Sequence, residues 1–238
     1  MDILKCEKID PEAYGLSPTA NITCITVEIS DTHKRVSDIL NHISNQSWIN
    51  KLGVIDQLSF RPSIEKTIKE ITKDVTSYIA GNKTISEMGE YIVSATGQDA
   101  LEQALKYKKL PLPELWKEKE SGNGGFDFHN ISLSDFFIFG EAKYVSSDSG
   151  HRSALQQIYD FIDDENKKDD VDLRNLVSFD GTEQATTNYL LGQKGYAAAF
   201  SINAKDPSST MATAITNDYV KPLSTYSGLY LIGVKIIK

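Results

Sequence analysis

Residues 125–144 read GFDFHNISLSDFFIFGEAKY, and this stretch decides the fold. It contains two runs rich in aromatic and β-branched residues, 126–131 and 136–144, separated by the polar segment Ser132-Leu133-Ser134-Asp135. Two such runs around a short polar connection predict a β-hairpin. Phe136, Phe137, Ile138 and Phe139 are continuously apolar, as expected of a strand buried on both faces. The run ends in Gly140-Glu141-Ala142-Lys143, and period-two alternation points Glu141 and Lys143 to the same side. Opposite charges at the end of a buried strand are costly unless they pair with each other or serve a site. Thirteen residues separate Asp127 from Glu141, so a hairpin sets Asp127 across from Glu141.

Working outward, residues 21–30 alternate and read as a strand, and Asp31 caps a helix to about Ile43 with Val36, Ile39 and Leu40 as its apolar face. Residues 45–62 read as irregular or extended. Ile64, Ile68, Ile71, Val75 and Ile79 form a helical stripe over residues 63–79, with Lys66, Lys69 and Lys73 on the solvated side. Gly81-Asn82 breaks this helix, Thr84 or Ser86 caps the next, Gly97 kinks or divides it, and the LPLP of residues 110–113 ends it. SGNGG (121–125) is a turn, SSDSG (146–150) a polar loop, and residues 151–162 a helix. The acidic run 163–172 reads as a solvated loop, 208–222 as partly helical, and 228–237 as a closing strand. The expected class is α/β (α+β), a mixed central sheet flanked by helices.

Asp127 and Glu141 offer carboxylate oxygens of the kind that hold Mg²⁺ or Mn²⁺. A metal so held acidifies a bound water and stabilises charge on a phosphodiester, while Lys143 orients the water or neutralises developing charge. Glu90 on the preceding helix is the expected third carboxylate, with Glu87, one turn earlier, as the alternative. A simple Glu141–Lys143 ion pair is the bland alternative. His129 and His151 flank the motif and are read as structural.

This constellation resembles the PD-(D/E)XK nuclease superfamily, whose core is an α-β-β-β-α-β unit around an acidic site. Asp127 matches the first acidic position, although Phe126 stands where Pro is usual. Glu141 and Lys143 match the E-x-K element. Gln157 and Phe161 lie close to the Q-x-x-x-Y pattern of the RecB-like branch, with Phe for Tyr, which marks Gln157 as a substrate-binding candidate. The stretch ISEMGEYIV, then GFDF, then FGEAKY, between residues 85 and 161, looks like the HamA family, the nuclease subunit of Hachiman antiphage defence systems. That resemblance implies a Mg²⁺-dependent deoxyribonuclease effector, with Asp127, Glu141 and Glu90 on the metal. It also implies a superfamily 2 DNA helicase partner of the HamB kind, which senses or delivers foreign or damaged DNA. Residues 1–80 would be an N-terminal α/β extension packed on a nuclease-like core over 81–238. The competing readings are a stand-alone restriction-type endonuclease and a catalytically inactive nuclease fold that binds DNA or protein.

Composition sets limits on these readings. The 238 residues carry a formal charge of −8, unlike the basic footprint usual on nucleic acid. Nine acids and three bases fall between Asp160 and Glu183, a net −6, which leaves −2 for the rest. Such a chain grips DNA weakly by itself, as expected of a subunit to which a partner brings DNA. Lysines grouped at 66–73 and 106–119 are candidate phosphate contacts, and the acidic run is a candidate partner-facing or DNA-repelling element. Cys6 and Cys24 lack metal-ligand spacing and read as reduced thiols. No signal peptide, membrane span or P-loop is read, so a cytoplasmic protein is expected, and the resemblance to an antiphage defence family implies a prokaryotic one.

Overall fold

A computed structural model describes residues 1–117, 125–145, 149–163 and 167–237. Most of the expected SGNGG turn, part of the SSDSG loop, Lys119 and Glu165 lie outside them. The chain forms β1 (Asp2–Lys8), β2 (Ile22–Ile29), α1 (Thr32–Ser44), α2 (Val54–Ile79) and α3 (Ile85–Leu105). It continues through β3 (Lys108–Lys109), β4 (Phe128–Ile131), β5 (Phe137–Lys143), α4 (Gly150–Asp163), α5 (Lys168–Leu176) and α6 (Glu183–Leu190). The last elements are β6 (Lys194–Ile202), α7 (Pro207–Ile215), α8 (Val220–Leu223) and β7 (Gly228–Ile236).

All seven strands join one mixed sheet in the order β1-β2-β7-β6-β5-β4-β3. The four inner strands β2, β7, β6 and β5 run parallel, and antiparallel partners close both ends. Parallel strands need cover on both faces, and helices supply it. Ala199 of β6 lies against Gly97 of α3. Phe200, the next residue and therefore on the opposite face, stacks on His151 of α4. Gly233, paired with Phe200, meets Met211 of α7 on that same face. Helices α1 and α2 stack behind α3. The segment before residue 81 is continuous with the rest, because β2 pairs with β7 along its full length.

The expected hairpin is β4–β5, with Phe128 opposite Gly140 and Ile131 opposite Phe137. Asp31 caps α1 by accepting the Lys34 amide. Four expectations are corrected. Residues 45–62 are not irregular throughout: a 3-10 turn at Ser47–Lys51 leads into α2, which begins at Val54 and contains Pro62. Pro62 is exposed, as is Leu58, whose carbonyl loses its usual helical donor, so water can serve it.

Gly97 neither kinks nor divides α3. It is glycine because the helix presses on the sheet there: a Cβ would lie 2.8 Å from Ala199 and 2.9 Å from the Phe128 ring. The helix stops at Leu105, well before the LPLP, because Lys106 takes a left-handed conformation, φ 62°, as its C-cap.

The acidic run is not a solvated loop. Its second half enters α5, whose helical spacing turns Asp169, Asp172 and Leu176 inward, leaving Asp172 only 1% exposed. Asp169 meets Lys194, and the Tyr196 hydroxyl donates to it at 3.1 Å. Asp172 meets Lys117 at 2.7 Å. Buried carboxylates are tolerated when paired in this way. Part of the acidity is therefore neutralised internally and is unavailable for repelling DNA. The lysines of 106–117 are likewise committed: Lys109 binds Asp99 and Glu102, and Lys108 binds the Asp180 carbonyl. Lys66, Lys69 and Lys73 are exposed, as their place off the stripe requires.

Candidate functional site

The site forms where β4 and β5 begin to part. The Asp127 amide donates to the Gly140 carbonyl at 2.7 Å, continuing the ladder by one residue and setting Asp127 opposite Glu141. Gly140 makes the close approach possible, since a Cβ there would meet the Phe128 ring at 2.3 Å. Asp127 is then fixed from two sides. Its Oδ2 accepts the Ala142 amide at 2.7 Å, and its carbonyl accepts the Ser94 hydroxyl of α3 at 2.9 Å. Lys143 Nζ donates to Glu141 Oε1 at 2.8 Å, as expected of residues two apart on one strand face. Glu141 is 1% exposed, and its other oxygen, Oε2, is buried without a donor.

Burial sets the electrostatics. It pushes the Asp127 carboxyl up to about 6, although the Ala142 amide and the Lys143 ammonium favour the charged form. Burial and then the Asp127 charge push Glu141 well above the ordinary carboxylate range, and Lys143 opposes this only in part. Burial alone would lower the Lys143 ammonium, but Glu141 outweighs it and holds Lys143 above its usual value. Two neighbouring buried carboxyls that resist joint ionisation are strained when both are charged.

A cavity of about 310 Å³ opens over Asp127 and is lined also by Glu87, Glu90, Ser94, Glu114 and Tyr144. The structure thus brings Asp127, Glu141 and Lys143 together and sets Glu90, which is exposed, on the same cavity. Glu90's charge acts on both Asp127 and Lys143. Glu87 lines the cavity too, but its carboxylate is engaged in a capping box, accepting the Thr84 amide at 2.7 Å and hydroxyl at 3.1 Å. Gln157 is half-buried on α4, and its side chain makes no hydrogen bond to another described residue.

Among the described residues, no three His, Cys, Asp or Glu side chains converge as a ready-made metal cluster. Asp127 and Glu141 still fit a divalent cation. Mg²⁺ is commonly held by one or two carboxylates, with water and phosphate completing its shell. The donorless Glu141 Oε2 and the mutual repulsion of the pair are what a cation would relieve.

No local pattern marks the Ser94 and Ala142 contacts, nor the buried Asp172 that reaches the backbone beside Asp127. Asp172 Oδ2 accepts the Phe126 amide at 3.2 Å and lies 3.0 Å from His129 Nε2. Burial holds His129 below its usual value, so it sits there as a neutral ring donating to Asp172. The one available signal was the 3–4 spacing of Asp169, Asp172 and Leu176. Compared with known proteins, the chain matches no family model and no curated protein.

Proposed function

We propose that the chain is a divalent-metal-dependent deoxyribonuclease of the PD-(D/E)XK type. One observation carries this reading: Asp127, Glu141 and Lys143 meet at the end of one hairpin, with a buried carboxylate oxygen of Glu141 facing no donor. Asp127 and Glu141 would hold the metal. A bound Mg²⁺ or Mn²⁺ supplies an acidified water and stabilises charge on the scissile phosphate. Lys143, held protonated beside Glu141, is positioned to orient the attacking water or to meet the negative charge that develops. Glu90, on the cavity wall, is a further carboxylate that could hydrogen-bond metal-bound or attacking water.

The order of elements supports the same reading. The series α3, β3, β4, β5, α4 and β6 repeats the α-β-β-β-α-β core that the sequence resemblance implies, with α5 and α6 inserted before the last strand. Within the resemblance to HamA, the protein is the effector of an antiphage defence complex, acting on DNA that a HamB-like helicase senses or delivers. Its net charge of −8 agrees with a subunit of weak intrinsic affinity for DNA. No helix among the described residues is long and apolar enough to cross a membrane.

The test is cleavage of linear, circular, single-stranded and double-stranded DNA with Mg²⁺ or Mn²⁺, with and without a helicase partner. Wild type is compared with a Glu141→Ala/Lys143→Ala variant. Metal-dependent cleavage lost in the variant supports the proposal. Cutting of a defined sequence by the chain alone would favour a restriction-type enzyme. No cleavage of any DNA under any condition sinks the nuclease reading and leaves a binding module.

A further inference from the structure

We propose that Asp172 and Lys117 are positioning residues that clamp the backbone at Phe126 and so fix the Asp127 carboxylate. The use made of Asp127 rests on the nuclease reading; the clamp itself rests on geometry alone. Both polar groups of the Phe126 peptide backbone are engaged by this pair. The Phe126 amide donates to Asp172 Oδ2 at 3.2 Å, and the Phe126 carbonyl accepts Lys117 Nζ at 2.9 Å. The two side chains also bind each other, Lys117 Nζ lying 2.7 Å from Asp172 Oδ1.

Asp172 is 1% exposed and Lys117 19% exposed at the side chain, so the pair works where water competes little. Gly125 is shaped to the clamp: a Cβ there would lie 2.3 Å from Lys117 Nζ and 2.7 Å from Asp172 Oδ1. Phe126 immediately precedes Asp127, whose Oδ2 must reach the Ala142 amide at 2.7 Å. Release of Phe126 would leave that reach to the Ser94 and Gly140 contacts alone. The glycine of the GFD motif and a carboxylate 45 residues beyond Asp127 therefore serve one end, which is to hold the first acidic residue in register with Glu141.

Single substitutions would strand a buried charge and could unfold the protein. The decisive variant is therefore Lys117→Met/Asp172→Leu, which removes both charges and the acceptor of the Phe126 amide together; Gly125→Ala, which crowds the pair without removing either charge, serves as a milder probe. Two readouts are needed: backbone amide exchange, residue by residue, and direct Mn²⁺ binding by electron paramagnetic resonance without DNA. The double variant should exchange the Asp127 and Ala142 amides roughly tenfold or more faster, with the β7 amides unchanged. Mn²⁺ affinity should fall about 10–100-fold, the usual cost of removing a group that orients a metal ligand.

Wild-type exchange at Asp127 and Ala142 in the double variant overturns the proposal. So does an equal acceleration at every amide, β7 included, which would make the pair a general stabiliser. If wild type neither binds Mn²⁺ nor cuts DNA while the local exchange result holds, the nuclease reading fails and the clamp stands.

Discussion

Replacing Asp127 by asparagine should make this protein more stable, although it removes the carboxylate that Ala142 and Ser94 help to seat. The reasoning starts from burial, which moves the Asp127 carboxyl from 3.8 to about 6. Below pH 3.8 the group is protonated in the folded and unfolded chains alike, and the folded state bears no penalty. Between 3.8 and about 6 the unfolded chain releases a proton that the folded chain retains. Stability therefore falls as pH rises through this window and levels off above it. At about 1.4 kcal/mol per pH unit, the penalty at pH 8 comes to about 3 kcal/mol. Asparagine keeps the size and an acceptor for the Ala142 amide, carries no charge, and has an amide that can donate to Glu141.

Asp127→Asn should accordingly gain about 3 kcal/mol at pH 8, roughly 6–12 °C in melting temperature for a chain of this length, and almost nothing near pH 4. The assay is urea denaturation of both proteins in EDTA at intervals from pH 4 to pH 8. A variant no more stable than wild type at pH 8, or a difference that does not grow with pH, refutes the idea that a strained buried carboxylate is built into this site.

Other outcomes follow from the same geometry. Under the proposed nuclease function, Glu141→Gln should reduce metal-dependent cleavage on the order of 10³-fold, the loss expected if Glu141 is one of two carboxylates that hold the metal, and it should also raise the unfolding midpoint at neutral pH. Mn²⁺ affinity, read by electron paramagnetic resonance, should fall as pH is lowered, and more steeply below about pH 6 where Asp127 also takes up a proton, because the cation must displace protons from the Asp127–Glu141 pair. Asp99 should behave in the opposite sense to Asp127. Burial alone would raise it, but Arg35 at 2.7 Å and Lys109 at 2.7 Å hold it below the ordinary range, so its contribution is present at neutral pH and lost as pH falls into the acid range. Asp99→Ala should cost about 3–5 kcal/mol in urea denaturation at pH 7 by leaving the buried Arg35 without its carboxylate and Lys109 with Glu102 alone. Gly89→Ala should cost about 1–3 kcal/mol in the same assay, because its Cβ would fall 2.1 Å from the Tyr144 ring.

The hairpin and its charges were legible in the sequence because their signals are local. An aromatic run bounded by polar residues, a glycine, and two charges of equal parity are enough to place Glu141 and Lys143 on one strand face opposite Asp127. The capped start of α1 and the isoleucine stripe of α2 were legible for the same reason, since period and capping act over a few residues. Strand β6, KGYAAAFSI, was not. Its alanines are weak strand formers, and they make sense only where α3 presses Gly97 onto Ala199 between two parallel neighbours. β1 carries charges at an exposed edge and gains its strand character from pairing with β2.

The acidic run was misleading because a carboxylate's cost depends on what lies against it. Asp172 can be buried because Lys117, 55 residues earlier, the Phe126 amide and His129 fold onto it, and Asp169 because Lys194 and Tyr196 do. Short-range pattern is enough to gather Asp127, Glu141 and Lys143 on one hairpin. Only the tertiary structure decided which of the acids are strained in a site and which are neutralised in the interior, since both burial and pairing are made by contacts that sequence distance does not record.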